Sequence, residues 1–588
     1  MTAVVLGLLG LMASGPFLLP FHYVFVTAFW SEWLALALGC GAALSLLLLP
    51  RQVVRLPIVL AVPAMLALAV LAHAWLDRLP STETGMHYAA YFLFAALMAL
   101  LGRLLADEYG LERVADAIAT ALVAGAAITA IIAILQSNGV TSELLVPSAS
   151  GSRAIGNIGQ PNQSAHYLVW GVVSAIYLTA RQKTSAVLGF SIATGLLFAA
   201  VLTSSRIVPL FLILAPLLLL LGKPRTSESR RFLLMTAALL LPFVAFHFIV
   251  PVLGEHMPEP MERLTAGAAE ESTSSTRLKG VRTAFAVASN YPVLGGGAGA
   301  YPWLGFQLAG INSTETAEHA HNLPLALAAE FGFPLALLVS ALLAWQWWAL
   351  ARGSQRLPVA WAALLTTMTA IHSLVEYPLW YAYFLGVFAF VSGAATPLVF
   401  RLTLGRRSAL YLAAIGGAGL VALAVVGKDY ATLTQIANKP LPPIDSPRGR
   451  EAREDLVRLA TNSLLAPWAT MYLAMQTVPS REQAANQSLF CQRTMRNGAP
   501  RATFGVKCAV LLAIEGKHQE AIELTRQLAT TYPGEVATMD SIVAGYEEEF
   551  PELTALRPVL IPLGKRPGWR GPSDENQLLR KFRQSTAP

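Results

Sequence analysis

Glu318-His319-Ala320-His321-Asn322-Leu323-Pro324-Leu325 lies where the chain changes character. A long polar segment, 254–322, ends in it, and a mainly apolar run, 323–350, begins in it. Crossing the hydrocarbon core of a bilayer takes about 20 apolar residues in a helix, and the run after His321 is longer than that. The stretch therefore reads as the mouth of a membrane span. Two histidines, an amide and an acid at a water–lipid boundary are more than a connector needs.

The surrounding composition agrees. Of 588 residues, 55% are hydrophobic and 13% charged, against about 25% charged in soluble domains. The charge is uneven: 20 Lys/Arg and 17 Asp/Glu fall after residue 427, and 40 charged residues are spread over the first 427. Residues 1–427 read as membrane and 428–588 as a soluble domain. The net charge of +7 does not imply nucleic acid, because a basic excess belongs in short cytoplasmic loops. Met1 to Gly15 is apolar with no basic residue ahead of it, so it reads as a retained first span, not a cleaved leader.

Thirteen runs meet the length of a span: 3–20, 32–50, 57–76, 87–105, 115–136, 163–180, 184–202, 207–222, 232–253, 323–350, 358–375, 379–399 and 409–427. Every even-numbered run is followed by basic residues. These are Arg51 and Arg55, Arg103 and Arg113, Arg181 and Lys183, Lys223 to Arg231, Arg352 and Arg356, and Arg401 to Arg407. The positive-inside bias then puts the N-terminus in the cytoplasm and the odd loops outside. The expected fold class is all-α: a polytopic membrane helical bundle of about 13 spans, with a large outer loop at 254–322. A helical domain follows Lys428. Within it, residues 503–514 and 519–530 flank Gly516-Lys517-His518 as a tetratricopeptide-like pair, with a weaker unit near 453–476. Cys491 and Cys508 lie there and either pair or remain buried thiols.

The outward loops collect the polar chemistry. Gly151 to Gln163 is rich in turn formers and amides, among them Gln160 and Asn162. Thr203-Ser204-Ser205-Arg206 places an arginine against the positive-inside bias. Residues 274–288, carrying Arg277 and Arg282, read as an amphipathic helix with a Ser/Thr cap that ends at Asn290-Tyr291-Pro292. Leu294-Gly295-Gly296-Gly297-Ala298-Gly299-Ala300-Tyr301 reads as a flexible turn. It lacks the Gly-Lys-Ser/Thr of a phosphate-binding loop. Glu330 lies about two turns inside its run, where an acid faces a cavity or serves structure. Glu376 closes the run that holds His372.

Gly156-Asn157-Ile158-Gly159-Gln160-Pro161-Asn162, the Arg277 helix ending in Tyr-Pro-Val-Leu-Gly-Gly-Gly, and His321-Asn322-Leu323-Pro324 followed by Glu330-Phe331-Gly332 resemble the O-antigen ligase/polymerase superfamily. Within it they look most like the pilin-type protein O-oligosaccharyltransferases of bacteria. Val281 stands where a Trp is common four residues after the arginine, which keeps Arg282 as a rival to Arg277. The resemblance implies an inner-membrane glycosyltransferase with its active site and C-terminal domain facing the periplasm. It implies transfer of an oligosaccharide from undecaprenyl pyrophosphate to Ser or Thr of a pilin-like periplasmic protein. The alternatives are transfer to lipid A–core, or glycan polymerisation.

That chemistry assigns roles. An imidazole titrates near neutrality, so His321 is the expected base, with His319 nearby and Glu318 or Glu330 orienting it. Arg206 and Arg277 are expected to meet the pyrophosphate, because a guanidinium stays charged and binds in a fixed fork. Gln160, Asn162 and Asn322 are expected to hold the donor or to fix their own loops. No Asp-x-Asp occurs in the chain, so metal-free transfer without a cofactor is expected. A transporter would instead scatter charges at mid-depth in several spans or show inverted repeats; a non-catalytic scaffold would not need His321.

Overall fold

The apolar runs fold as helices. The computed structural model describes residues 2–560 apart from 24, 49–53, 143–152, 254–270, 313–318, 405–407, 439–445 and 499. Each of the thirteen runs falls on helix, from Thr2–Met12 to Ser408–Ala437. Among the described residues seven helices are long and apolar enough to cross a membrane by length and composition, and several others are apolar but shorter. Two of the expected spans are interrupted. The run 232–253 divides at Leu239 into Ser227–Ala238 and Leu240–Ile249. The run 323–350 divides at Gly332 (φ +82°) into Leu323–Phe331 and Phe333–Gly353. A short antiparallel ribbon departs from the all-helical expectation: Val54 faces Leu404 and Arg55 faces Thr403.

The chain forms two compact units. The first comprises 1–67, 90–270 and 339–427. At its centre is Pro161–Ala180, buried without a break from Gln163 to Ala180. Phe17 stacks on Tyr167 at 3.9 Å. Thr82–Tyr109 and Ala382–Ala395 cross closely at Gly102 and Gly393; a Cβ on either would strike the other helix's backbone. In lipid no hydrophobic force drives helices together, and such small residues let backbones pack.

The loops after the even-numbered runs meet one another. The ribbon joins the second to the twelfth. Arg55 and Arg103 both reach Asp107, and Arg103 donates to Thr396 O at 3.2 Å. Arg181 and Lys183 reach Asp116, Arg356 reaches Glu112, and Ser229 donates to Gln355 O at 2.9 Å. One end of this unit thus gathers the basic loops, and Asp107, Glu112 and Asp116 pair with five of their basic residues.

The second unit comprises 68–89, 271–338 and 428–588. Its apolar core joins Phe504, Leu511, Leu528 and Phe550 to Phe306. Helix Tyr301–Asn312 thereby docks on helix His518–Thr531, and Gln527 Nε2 donates to Phe306 O at 2.7 Å. Full burial of one such phenylalanine is worth about 1.5–3 kcal/mol. Helices Ala502–Ile514 and His518–Thr531 lie within a residue or so of the bounds expected for them. Cys491 and Cys508 are disulfide-bonded, with Cα atoms 5.6 Å apart.

Candidate functional site

The expected site residues divide between the units. Gln160, Asn162 and Arg206 belong to the first; Arg277, Arg282, His319, His321, Asn322 and Glu330 belong to the second. Glu318 lies outside the described residues.

In the first unit the loop leading into Pro161–Ala180 is held by side chains. Gln136, at the end of helix Leu111–Ser137, accepts from Ile155 N–H at 3.1 Å and Gly156 N–H at 3.0 Å and donates to Gly156 O at 3.0 Å. Asn157 donates to Leu18 O at 2.8 Å. Gln160 caps the helix: its backbone is extended and its amide oxygen accepts from Gln163 N–H at 2.6 Å. Pro161 then occupies the first helical position, where its missing N–H costs nothing. These bonds explain the Gln-Pro-Asn order as a helix start.

Asn162 is a hub. Its Oδ1 accepts from Arg153 Nη2 at 3.2 Å and Ser205 Oγ at 2.8 Å, and its Nδ2 donates to Glu376 Oε1 at 3.0 Å. Arg153 Nε also donates to Thr203 O at 2.8 Å. Ser204 has φ +48° and Arg206 is exposed, at the start of helix Ile207–Leu221. One helical turn below the Asn162–Glu376 bond, His166 Nδ1 meets His372 Nδ1 at 2.9 Å in the buried core. Loops after the fifth, seventh and eleventh runs therefore converge, as their common outward assignment requires.

In the second unit the motif His-Asn-Leu-Pro is a helix entrance. Asn322 is the N-cap of Leu323–Phe331, and its Oδ1 accepts from Leu325 N–H at 3.1 Å. Asn is among the preferred caps, and Pro is tolerated in the first turn. His321 precedes it with φ +50°. Non-glycine residues seldom take this backbone, and it recurs at functional sites. His319 and His321 are both half-buried. Arg277 and Arg282 lie on helix Glu271–Asn290, which starts slightly before the expected Ser/Thr cap and ends where expected. Arg282 is exposed. A Cβ built on Gly280, one turn beyond Arg277, would lie 3.8 Å from Ala320 O, so the chain entering His321 passes beside the arginine helix.

The glycine-rich segment after Pro292 is pinned, contrary to the flexible turn expected. Gly296 N–H donates to Ala329 O at 2.8 Å, Gly297 N–H to Glu330 O at 3.1 Å, and Phe333 N–H to Pro292 O at 2.9 Å. Gly295, Gly297 and Gly299 all have positive φ, and a Cβ on Gly295 would overlap the Glu330 backbone. His73 clamps the turn: its Nδ1 accepts from Ala298 N–H at 3.1 Å, which fixes Nε2 as the donor to Leu294 O at 2.9 Å. Arg78 donates to Gly295 O at 2.9 Å. Glu330, 5% exposed, accepts from Tyr88 OH at 3.0 Å and from Gly299 N–H. The acid expected to assist His321 therefore ties the turn to its helix.

Sequence reasoning did not single out Arg153, Gln136, His73 or Tyr88. Arg153 had a signal, since like Arg206 it is an arginine on an outward loop. The other three sit in or near apolar runs, where one polar residue carries no partner information. Among the described residues no three His, Cys, Asp or Glu side chains converge as metal ligands would.

Three family models match successive stretches of the chain, the first two overlapping. Residues 154–178 match the protein glycosylation ligase model, 169–340 the O-antigen ligase model, and 359–546 the model for the C-terminal part of virulence factor membrane-bound polymerases. Two curated relatives come from Acinetobacter baylyi. A general O-oligosaccharyltransferase is 26% identical over 371 residues, covering 58% of this chain and 61% of the relative. A ComP-specific O-oligosaccharyltransferase is 26% identical over 264 residues, covering 43% of this chain and 46% of the relative. The matches thus span about half the length of these relatives. Together with the motifs carried by the two loops and the His321 helix, these matches make the chain similar to the O-antigen ligase superfamily, and within it to the protein glycosylation ligases.

Proposed function

We propose that this protein transfers a preassembled oligosaccharide from undecaprenyl pyrophosphate to Ser or Thr hydroxyls of a periplasmic acceptor protein such as a pilin. The observation that carries the reading is His321. It holds a left-handed backbone at the entrance of an Asn-capped helix, beside the helix that bears Arg277 and Arg282. In the reaction the acceptor oxygen attacks the anomeric carbon and the bond to the pyrophosphate oxygen breaks. His321 takes the hydroxyl proton, and arginines, Arg206 and Arg277 first among them, neutralise the departing pyrophosphate in place of a divalent cation. Asn322 sets the helix on which His321 is presented; Arg282, His319 and Gln160 are given no step of their own.

The reading places the chain in a bacterial inner membrane with its chemistry facing the periplasm. The basic end of the first unit is then cytoplasmic. The disulfide between Cys491 and Cys508 accords with an oxidising compartment for the C-terminal helices, which would receive the acceptor protein.

The test is reconstitution of the purified chain with lipid-linked oligosaccharide and either pilin or lipid A–core. Glycan on pilin is the expected result; label on lipid A–core alone would sink the protein-ligase reading. The match of residues 359–546 to a polymerase model favours one second reading, in which the product is a lengthened lipid-linked glycan. His321→Ala is expected to lower transfer by at least about 100-fold with membrane insertion intact, and unchanged transfer removes His321 from the base role.

A further inference from the structure

At the basic end of the first unit, the turn between helices Pro161–Ala180 and Ala186–Leu202 borders an open groove of about 610 Å³. Sites for small ligands commonly span about 300–1,000 Å³. The other wall is helix Leu111–Ser137. Positions 113, 117, 120, 124, 128 and 131 of that helix fall on one stripe. Arg113, Thr120, Ala124, Ile128 and Ile131 are exposed along it. The side chains are short where the groove lies, at Ala117, Thr120 and Ala124, and long beyond it, at Ile128 and Ile131. The groove is thus a hollow left by three short side chains on a face that otherwise meets lipid.

One end of the lining is polar. Asp116 is shared there: Arg181 reaches it at 3.3 Å and Lys183 at 3.4 Å, and Tyr177 OH donates to it at 2.9 Å. One negative charge therefore meets two positive ones. The hydroxyls beside it have no hydrogen to offer. Thr120 donates to Asp116 O at 2.8 Å. Thr179 donates to Ala175 O at 2.8 Å, which makes Thr184 the donor in the 3.1 Å bond between Thr184 and Thr179. Lys183 is half exposed, and its ammonium carries three hydrogens, of which one can face Asp116. Helix Ala186–Leu202 starts two residues after Thr184 and brings its positive end there. A soluble anion would match only this end, and a neutral lipid only the apolar remainder.

We propose that the groove binds an anionic phospholipid, with the phosphate at Lys183 and one acyl chain along Ala117, Thr120 and Ala124. The proposal goes beyond the transferase reading and does not depend on it: a chain that moved no glycan would hold the lipid equally.

The experiment titrates phosphatidylglycerol or phosphatidylcholine of the same chain length into the delipidated full-length protein in detergent. Retained lipid is counted by native mass spectrometry, and melting temperature is followed in parallel. Wild type is expected to prefer phosphatidylglycerol at least about fivefold, the worth of one cation near a lipid phosphate. Lys183→Gln should remove that preference and leave phosphatidylcholine unchanged, an outcome that a loss of structure would not give. Thr120→Trp fills the hollow and should weaken both lipids at least about tenfold. Ile131→Trp, on the same stripe but outside the groove, should stay within about twofold. Equal retention of the two lipids by wild type overturns the proposal, as does wild-type retention in folded Thr120→Trp. If that variant does not fold, Ala124→Leu is judged by the same criterion. Glycerol 3-phosphate in excess should not displace the lipid; displacement overturns the proposal, because the phosphate alone would then carry recognition.

Discussion

The loop at 153–163 in the first unit and the turn at 291–301 in the second are both short connections running into a helix, yet they are held differently. In the first, side chains reach the backbone: Gln136 makes three bonds to Ile155 and Gly156, and Asn162 gathers Arg153, Ser205 and Glu376. In the second, backbone also meets backbone, with Gly296 and Gly297 donating to Ala329 and Glu330, beside the side-chain bonds of His73, Arg78 and Glu330. A loop held by side chains can change one bond at a time. A turn held by its backbone tolerates no atom where the strands of chain touch.

The largest expected effect follows from that. In Gly295→Ala the new Cβ meets the backbone of Glu330 and Phe331 at a residue with φ +75°. Neither partner is a flexible side-chain end that can move aside. A loss of about 3–5 kcal/mol is expected. It should be read as a fall in melting temperature and loss of membrane-inserted protein, with transfer lost as a consequence. A variant that melts within a degree of wild type would mean the turn is as adjustable as its glycines suggest in isolation.

Gln136→Ala should come next. It removes three bonds in a buried setting and leaves Ile155 N–H, Gly156 N–H and Gly156 O without that partner. At about 1 kcal/mol per bond, with desolvated groups left behind, about 2–3 kcal/mol is expected. The loss should be graded: Gln136→Glu keeps an acceptor for the two N–H groups and should retain more stability than Ala. Equal losses would show that shape at this site outweighs its hydrogen bonds.

The contrast also explains what could be read from the sequence. Helices were legible because apolar length is a local property; their entrances at Gln160-Pro161 and Asn322-Leu323-Pro324 carry cap and proline within three residues, yet those residues read as holding the donor or fixing their loops. The alternation of basic loops was legible because charge bias is counted span by span. The breaks at Leu239 and Gly332 were not, since the runs stay apolar through them. Segments 68–89 and 271–338 join 428–588 through pairs far apart in sequence, such as His73 with Leu294 and Phe306 with Gln527. No local pattern marks those pairs. The glycines read as flexibility for the same reason: positive φ is visible in the sequence as freedom, and the partner that removes the freedom lies about 30 residues further on or more than 200 before. Two cysteines 17 residues apart left pairing open until the helices bearing them were in place.

The smallest expected effect sharpens the role of Glu330, which belongs to the turn by its bonds and follows the proposed base His321 by nine residues. Its carboxylate accepts from Tyr88 OH and Gly299 N–H, and its own carbonyl accepts from Gly297. A residue used this way needs acceptor oxygens more than it needs a charge. Glu330→Gln keeps one acceptor oxygen and the shape, loses the second oxygen and sets an NH₂ near one donor. The expected cost is about 1–2 kcal/mol of stability, with kcat lowered less than tenfold and the KM values for donor and acceptor unchanged. Glu330→Ala removes both bonds and should lower melting temperature further, so that Gln rescues most of what Ala loses. A proton carrier or a charge partner for His321 behaves otherwise, because Gln can neither take a proton nor hold a negative charge. A fall in kcat as large as that of His321→Ala, in a Glu330→Gln protein that melts normally, would move Glu330 from the scaffold of the turn into the reaction.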